Sequence, residues 1–483
     1  MSADRDPAAR TVDGGANASA ADAAGSESCP LTEGLAGFVA SPGFFDPVPA
    51  DVVPVVRNGF VDTLAALLGG RDEPVTRAAL EFALRRRGAG DSALLLGRER
   101  AGASEAAFVN ATAAHALDYD DMALNGHPSV VLVPALLAAG EPLGASDRAL
   151  LRAYLVGYEA WAELAAREPD PMHGKGWHPT GVTGTVAAAA AVAHLRGLDA
   201  RASANALGIA ASLAGGLMAN FGSMTKPLHA GWAARHGVEA VELAQLGATA
   251  SGNVLEAPTG FLAAFSPAGR ADRGPWRVPA ALRIRRTGLS IKKYPVCYAS
   301  HRVIDGVLDL RAAHRVAPAD VRRVVATISD VNARILHSHA PANALEAKFS
   351  LEFACAIALA DGAVGLREVA DANLARADVR ALMDRVEVET VPPGCPVEPS
   401  FALNDRVVLH LSDGRALDSG PIRFARGHAL APLPADELDA KFMGCVASAE
   451  HARARALLTA LRRVDGGDAP GMLEALQAFA QGG

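Results

Sequence analysis

Three helix starts carry the residues of this sequence that are best suited to chemistry. His127, His178 and Lys226 each stand immediately before a proline, at the beginning of a helix-compatible stretch. Proline is tolerated in the first helical turn, where free N–H groups and the positive dipole end favour anions. Histidine transfers protons and lysine supplies positive charge. If the three ends meet, they form a site for several carboxylates. Helix capping with incidental side chains is the structural alternative.

Lysine is rare in this chain, so each lysine is informative. Only six of the 46 Lys and Arg residues are lysines. Arginine stays charged, whereas a lysine can lose its proton and act as an acid or base. Lys226 and the pair Lys292-Lys293 lie in unusual sequence contexts and are the candidates for such a role. Ordinary surface charge is the alternative.

An acidic run at residues 118–121 lies just upstream of His127. It predicts either metal ligands or a carboxylate, such as that of Asp118, that orients a catalytic histidine. The chain has no second metal-binding motif, no phosphate-binding P-loop and no dinucleotide-binding glycine fingerprint. We therefore predict no metal and no cofactor, and we prefer the orienting role. A solvated charge cluster at a helix edge is the structural alternative.

A second polar cluster contains Lys292, Lys293, Cys297 and His301. Neighbouring cations lower the pKa of a thiol, so Cys297 is a candidate thiolate and acid/base group. His301 opens a helical stretch and either faces a cleft or caps the helix. A buried, inert cysteine is the alternative for Cys297.

Composition excludes several classes of protein. The 483 residues carry a formal charge of −7 and no basic tract, which disfavours nucleic-acid binding. No apolar run reaches the ~18 residues of a membrane span. Residues 1–30 are rich in Ala, Ser, Asp and Gly, which predicts a disordered leader rather than a signal peptide. The five cysteines are widely spaced, so we expect a reduced, cytoplasmic protein.

The hydrophobic pattern changes once along the chain. Residues 31–275 show helical spacing with many small residues, which predicts a closely packed all-α domain. Residues 276–424 mix helices with β-branched segments at 322–329, 385–391 and 406–411, which predicts a smaller α+β domain. Residues 425–483 are helical again and are expected to rejoin the first domain. The predicted fold class is therefore mainly α.

Five stretches together resemble the MmgE/PrpD family, in the family's order and over about residues 50 to 450. They are HALDYDDM followed by GHPS, KGWHPTGVTGT, GSMTKPLHAGWAARHG, KKYPVCYASHRVIDG and EAKFSLEFACAIALADG. The family includes 2-methylcitrate dehydratase, cis-aconitate decarboxylase and iminodisuccinate epimerase. The resemblance implies a large all-helical domain with a smaller α+β lid domain. It also implies a homodimer, an active site between the domains and no cofactor.

The resemblance also assigns positions within the site. The positions that match active-site residues of the decarboxylase branch are Asp118, His127, His178 and Lys226. This chain departs from that branch by three substitutions: Met122 replaces a threonine, His173 replaces a methionine, and Cys297 replaces a lid histidine. In addition, the loop before His127 is one residue shorter, and a lid tyrosine has no clear counterpart, His337 being the nearest candidate. His301 is retained. The departures leave carboxylate binding intact and keep the reaction type open.

These observations predict a cofactor-independent, dehydratase-like lyase that removes a proton next to a carboxylate of a small di- or tricarboxylate. His178 is the leading proton-transfer group, and Cys297 or His301 is the second. The predicted substrate-binding residues are His127, His173, Lys226, Lys292 and Lys293. An epimerase, an isomerase or a decarboxylase of a small polycarboxylate is the alternative. A further alternative is a non-catalytic helical protein that binds carboxylates.

Overall fold

A computed structural model describes most of the chain. The described residues are 29–43, 45–86, 90–469 and 471–482. The predicted disordered leader lies outside the described residues except for Cys29 and Pro30. The backbone N–H of Trp276 donates to the Cys29 carbonyl oxygen at 2.8 Å. This bond joins the beginning of the described chain to the segment that follows the first set of helices.

The chain from Leu31 to Thr287 is mostly helical, as predicted. Its helices are α1 (Leu31–Ala40), α2 (Val53–Gly70), α3 (Pro74–Arg86), α4 (Ala103–Ala116), α5 (Pro128–Gly140), α6 (Asp147–Ala166), α7 (Pro179–Leu195), α8 (Ala200–Leu213), α9 (Thr225–Gln245), α10 (Phe261–Phe265) and α11 (Ile284–Thr287). A short antiparallel pair, β1 (Ser92–Ala93) and β2 (Arg100–Ala101), lies between α3 and α4.

Small residues let the central helices approach closely. Helix α7 is buried along most of its length because nearly all of its side chains are small. Where it meets α9, a Cβ atom added to Gly237 would lie only 2.4 Å from the Cβ of Ala188. Where α9 meets α4, a Cβ added to Gly231 would lie 2.2 Å from the Thr112 hydroxyl. The packing that brings the starts of α5, α7 and α9 together therefore depends on glycine and alanine.

The second part of the chain combines helices with a four-stranded sheet. Its elements are α12 (His301–His314), β3 (Val321–Ser329), α13 (Asp330–Ile335), α14 (Ala344–Ala347), α15 (Leu351–Asp361), α16 (Asp371–Leu374), α17 (Ala377–Met383), β4 (Val386–Val391), β5 (Arg406–Leu411) and β6 (Ala416–Asp418). The strand order is β4-β3-β5-β6, with β3 parallel to β4 and antiparallel to β5. The three predicted strands are confirmed. Gly414, at a φ of 88°, makes the turn into β6.

The C-terminal helices α18 (Ala435–Gly444), α19 (His451–Arg463) and α20 (Gly471–Gln481) return to the first part of the chain. Lys441 of α18 pairs with Asp62 of α2 at 2.6 Å. Buried side chains form two main hydrophobic clusters. One joins helices α1 to α9 with the C-terminal helices, and the other joins α12 and α15 with the sheet. The predicted class, mainly α, is confirmed. Among the described helices, none combines the length and the apolar character needed to span a membrane.

Candidate functional site

The three predicted helix starts meet at one cavity. His127 and His178 are the residues that precede the first turns of α5 and α7, and Lys226 lies in the first turn of α9. The backbone N–H of His127 donates to the Thr180 hydroxyl at 3.2 Å, which ties the start of α5 to that of α7. The cavity has a volume of about 70 Å³. Asp118, Lys292 and Cys297 also line it.

Asp118 is the electrostatic centre of this site. Its backbone is left-handed, with a φ of 51°, which is uncommon outside glycine. One carboxylate oxygen, Oδ1, lies 2.6 Å from Lys226 Nζ and 2.7 Å from Lys292 Nζ. Burial by itself would raise the pKa of the Asp118 carboxyl. The two ammonium groups outweigh burial and hold that pKa well below its usual value.

Buried lysines also hold the backbone on both sides of Asp118. Lys348 donates to the carbonyl oxygen of Leu117 at 2.5 Å, and Lys292 donates to that of Asp118 at 2.9 Å. Lys441 donates to the carbonyl oxygen of Tyr119 at 2.6 Å. Three consecutive carbonyls at the end of α4 therefore each accept a bond from an ammonium group. The helix dipole places negative charge at such an end, so cations are favoured there.

Lys348 and Lys441 carried no predicted role. The scarcity of lysine was the signal that could have identified them, since four of the six lysines are buried around residues 117–121. Burial lowers the pKa of Lys348 to about 8, although the nearby Asp118 and Glu73 carboxylates oppose the shift.

His127 is oriented by a carboxylate, as the acidic run predicts, but the carboxylate is that of Asp120. Asp120 Oδ2 lies 2.8 Å from His127 Nδ1, and Asp120 Oδ1 lies 2.8 Å from His115 Nδ1. Burial would raise the pKa of Asp120, but the two histidines hold it well below its usual value. His115 and Asp120 had no individual role in the sequence analysis. Both are buried, so they act behind the cavity wall.

The same residues are close enough to hold a metal ion. Ligand atoms of His115, Asp118, Asp120 and His127 lie within 4.8 Å of one another. The sequence spacing showed no such cluster because the tertiary fold assembles it. Asp118, however, already bears two ammonium groups, and these would repel a cation bound beside it.

We expect turnover to survive removal of metal ions. The charge that a carboxylate substrate needs is supplied by Lys226 and Lys292, so no metal is required to hold it. Activity should be unchanged after prolonged EDTA treatment and dialysis. Loss of activity on chelation, with recovery on adding Mg²⁺, Mn²⁺ or Zn²⁺, would instead assign a metal to His115, Asp120 and His127.

His178 is held by a second histidine that sequence analysis did not identify. The Nδ1 atoms of His178 and His229 lie 3.1 Å apart, so one ring donates to the other. Burial, together with the nearby Lys226 ammonium, lowers the pKa of His178 well below its usual value. His178 is therefore neutral at pH 7 in the free protein. A neutral imidazole of this kind can accept a proton from a bound molecule.

Apolar side chains form the other walls of the cavity. Lys226 Nζ lies 5.3 Å from the centre of the Phe221 ring and 5.2 Å from that of Phe349. Ile335 and Phe401 extend this surface. His173 lines the cavity too, as predicted, and burial with the Lys226 charge lowers its pKa to about 4. The cavity thus combines a cationic region with an apolar one.

Cys297 lines the cavity, but the predicted thiolate is wrong. Burial and the Asp118 carboxylate raise the pKa of the Cys297 thiol, and the Lys292 and Lys226 ammonium groups do not compensate. The thiol is therefore protonated at pH 7. If Cys297 takes part in proton transfer, it acts as a donor.

Two other predicted site residues do not line the cavity. The His301 ring packs between Tyr294 and Tyr298, with ring centres 5.1 and 5.0 Å away, and burial lowers its pKa to about 3. The Lys293 ammonium pairs with Glu437 at 2.7 Å and is partly exposed. The structure therefore supports neither the acid/base role predicted for His301 nor the substrate-binding role predicted for Lys293. The two neighbouring lysines diverge, since Lys292 reaches Asp118 inside the protein and Lys293 reaches Glu437.

We expect Cys297→Ser to lower kcat by ~100-fold or more if the thiol donates a proton, because a hydroxyl is far less acidic. Binding of a carboxylate ligand should change little, since serine is close in size. Stopped assays and calorimetric titration measure the two effects. Cys29→Ser, outside the cavity, is the control. Normal turnover by Cys297→Ser would show that this side chain only packs.

Two domain models of one protein family match most of this chain. The family model for the MmgE/PrpD N-terminal domain matches residues 33–273, and that for the MmgE/PrpD C-terminal domain matches residues 294–465. Cis-aconitate decarboxylase from Homo sapiens is 33% identical over 354 residues, which cover 70% of this chain and 71% of that protein. The Mus musculus protein of the same name is 33% identical over 356 residues, 70% of each chain. The Aspergillus terreus protein of that name is 26% identical over 366 residues, 71% of this chain and 74% of its own.

Proposed function

The chain belongs to the MmgE/PrpD family, and on that premise we propose that it is a cofactor-independent lyase acting on a small di- or tricarboxylate. One observation carries the proposal: Lys226, Lys292 and His127 meet at a single buried cavity. One carboxylate, that of Asp118, is shared by the ammonium groups of Lys226 and Lys292, so these three groups at the cavity wall together carry one excess positive charge. A substrate carboxylate would neutralise that excess.

Decarboxylation is the reaction that we place first. The bond between a carboxylate carbon and its neighbour breaks, CO₂ leaves, and the electron pair stays on the remaining carbon skeleton. A proton then adds to that carbon. Lys226 and Lys292 would stabilise the developing negative charge, while a carboxylate placed against Phe221 and Phe349 would be destabilised relative to neutral CO₂. The relatives named cis-aconitate decarboxylase support this choice.

Dehydration is the second candidate, and the state of His178 favours it. A neutral imidazole next to a cationic region can remove a proton from a carbon adjacent to a carboxylate, after which a hydroxyl group leaves as water. Both reactions pass through negative charge on an enediolate-like carbon. They differ in whether CO₂ or water is released.

The pH profile should reflect the burial of these groups. Burial lowers the pKa of His127 and His178, and lowers those of His115 and His173 to about 4. Burial raises the pKa of Cys297. Each shift moves the titration of its group away from the range between pH 6.5 and 7.5, so kcat/KM should vary less over this range than an ordinary histidine would cause. Steady-state rates at constant ionic strength test this expectation. A rise or fall in kcat/KM centred near pH 6.5 would show that one of these histidines titrates normally.

The direct test of the proposed function is a substrate screen of the wild-type chain. Cis-aconitate, citrate, 2-methylcitrate and other small polycarboxylates are incubated in D₂O and followed by proton NMR, with CO₂ release measured in parallel. We expect turnover with CO₂ release, or water elimination for a hydroxy acid. Exchange of deuterium without net reaction would indicate an epimerase. Binding without any exchange or turnover would leave a non-catalytic carboxylate-binding protein.

We also propose the arrangement that the family resemblance implies. The second hydrophobic cluster, built on α12, α15 and the sheet, acts as a lid domain over the cavity. The chain is proposed to form a homodimer and to work without a metal in the cytoplasm, consistent with its five unpaired cysteines. Light scattering coupled to size-exclusion chromatography tests the oligomeric state.

A further inference from the structure

Asn332 is a buried polar side chain that lines the cavity without a partner. It lies in α13 and is 1% exposed. Its side-chain Oδ1 and Nδ2 atoms are both buried, and neither has a hydrogen-bond partner among the residues that the structure describes. Buried amides in proteins are nearly always hydrogen-bonded, so this one requires an explanation.

The backbone of Asn332 does not provide the explanation. Its N–H donates to the Ser329 hydroxyl at 3.0 Å, and its carbonyl accepts a bond from the Leu336 N–H at 2.9 Å. The main chain is therefore satisfied, as expected at the start of a short helix. The side chain shares the cavity wall with the apolar Ile335 and Phe349, which offer no bond.

Asn110 is a buried asparagine of the same chain whose side-chain oxygen and nitrogen are both hydrogen-bonded within the protein. It is 3% exposed and lies away from the cavity. Its Nδ2 donates to the Ala93 carbonyl at 2.9 Å, and its Oδ1 accepts from the Leu95 N–H at 2.7 Å. Asn332 has comparable burial and neither bond. A group on a ligand within the cavity is the partner that would complete it.

We propose that Asn332 is a substrate-binding residue whose Nδ2 group donates a hydrogen bond to a second carboxylate of the substrate. This inference rests on the proposed function, which places the first carboxylate at Lys226 and Lys292. A cationic region and a separate amide donor suit a molecule with two or more carboxylates. A monocarboxylate would leave the amide unpaired, so Asn332 contributes to selection of the substrate class.

The test compares Asn332→Leu, Asn332→Asp and the control Asn110→Leu. Leucine has the same branched arrangement of side-chain heavy atoms as asparagine and no polar group, so Asn332→Leu should keep or raise the melting temperature, by about 1 to 3 °C. Asn110→Leu removes two side-chain hydrogen bonds and should lower the melting temperature. Calorimetric titration with tricarballylate should show roughly 10- to 100-fold weaker binding to Asn332→Leu, the loss of one hydrogen bond to a charged group. Asn332→Asp should bind at least as weakly, since it repels a carboxylate.

The melting temperatures and the binding measurements together decide whether Asn332 binds the substrate. A melting temperature that falls as in Asn110→Leu, with unchanged tricarballylate binding, would overturn it and make Asn332 structural. Unchanged binding by Asn332→Asp would also overturn it. The binding assay needs no turnover, so a wild-type chain that binds tricarballylate but is inactive would contradict the lyase proposal alone. A wild-type chain that does not bind tricarballylate would contradict both the lyase proposal and the proposed role of Asn332.

Discussion

Lys226→Ala is expected to lower kcat/KM by at least ~100-fold, the scale of losing one preorganised charge-stabilising donor, while the chain still folds. Lys226 Nζ lies 2.6 Å from Asp118 and beside the apolar rings of Phe221 and Phe349. Without this ammonium group, the cavity loses the cation that borders its apolar region. Steady-state kinetics on the best substrate from the screen, with circular dichroism to establish folding, measure the effect.

Two further variants sharpen this result. Lys226→Arg keeps the positive charge but cannot lose its proton, so partial recovery would indicate charge stabilisation rather than proton transfer. Lys293→Ala is the matched control, because its ammonium pairs with Glu437 outside the cavity and should be dispensable. Near wild-type turnover by a folded Lys226→Ala protein, or a large loss in Lys293→Ala, would contradict the site described above.

Asp118→Asn is expected to destabilise the fold by about 3–5 kcal/mol, because it leaves buried ammonium groups without their carboxylate. Asparagine tolerates the left-handed backbone at this position, so the effect reports charge and not strain. Turnover should fall as well, since Lys226 and Lys292 lose the group that positions them. Urea denaturation followed by tryptophan fluorescence measures the free energy of unfolding.

Citrate should partly restore the stability of Asp118→Asn, because its carboxylates replace the missing charge. The rise in melting temperature on adding citrate should therefore be larger in this variant than in the wild type. Asp413→Asn is the control: Asp413 pairs with Arg415 at the surface, where ion pairs contribute only ~0–1 kcal/mol. Equal stability of Asp118→Asn and wild type would show that the two ammonium groups do not depend on Asp118.

The stabilisation by Asp118 also has a defined pH dependence. In the folded protein the pKa of Asp118 lies well below the value of about 3.9 usual for an unfolded aspartate, so this stabilisation is fully present above that usual value. It is lost as the pH falls through the folded pKa, where the native carboxylate takes up its proton. Asp118→Asn lacks this component, so the difference in stability between wild type and variant should narrow in acid.

Local features of the sequence predicted the helix starts and the strands correctly. Proline fixes φ and lacks an N–H, so it is favoured in the first helical turn, where Pro128 and Pro179 are found. Segments rich in β-branched residues predicted β3, β4 and β5. These properties depend on a few neighbouring residues, which is why sequence alone was sufficient.

Predictions about the charge state of side chains, and about where those side chains point, were less successful. The cations near Cys297 in sequence suggested a lowered thiol pKa, but burial dominates and raises it. Lys292 and Lys293 were assigned the same role, yet only Lys292 reaches Asp118. Asn332 carried no sequence signal, because an unpaired amide is recognised only when all its neighbours are known.

The sequence by itself determined the mainly α class, the three helix starts that carry His127, His178 and Lys226, and the unusual retention of a few lysines. Only the tertiary structure decided which groups meet. Three lysines surround residues 117–119: Lys292, Lys348 and Lys441. Asp120 rather than Asp118 orients His127, and tyrosines enclose His301. Helix starts are set by bonds within a few residues. Electrostatic partners and burial depend on segments that lie hundreds of residues apart in the chain and meet only when the helices pack.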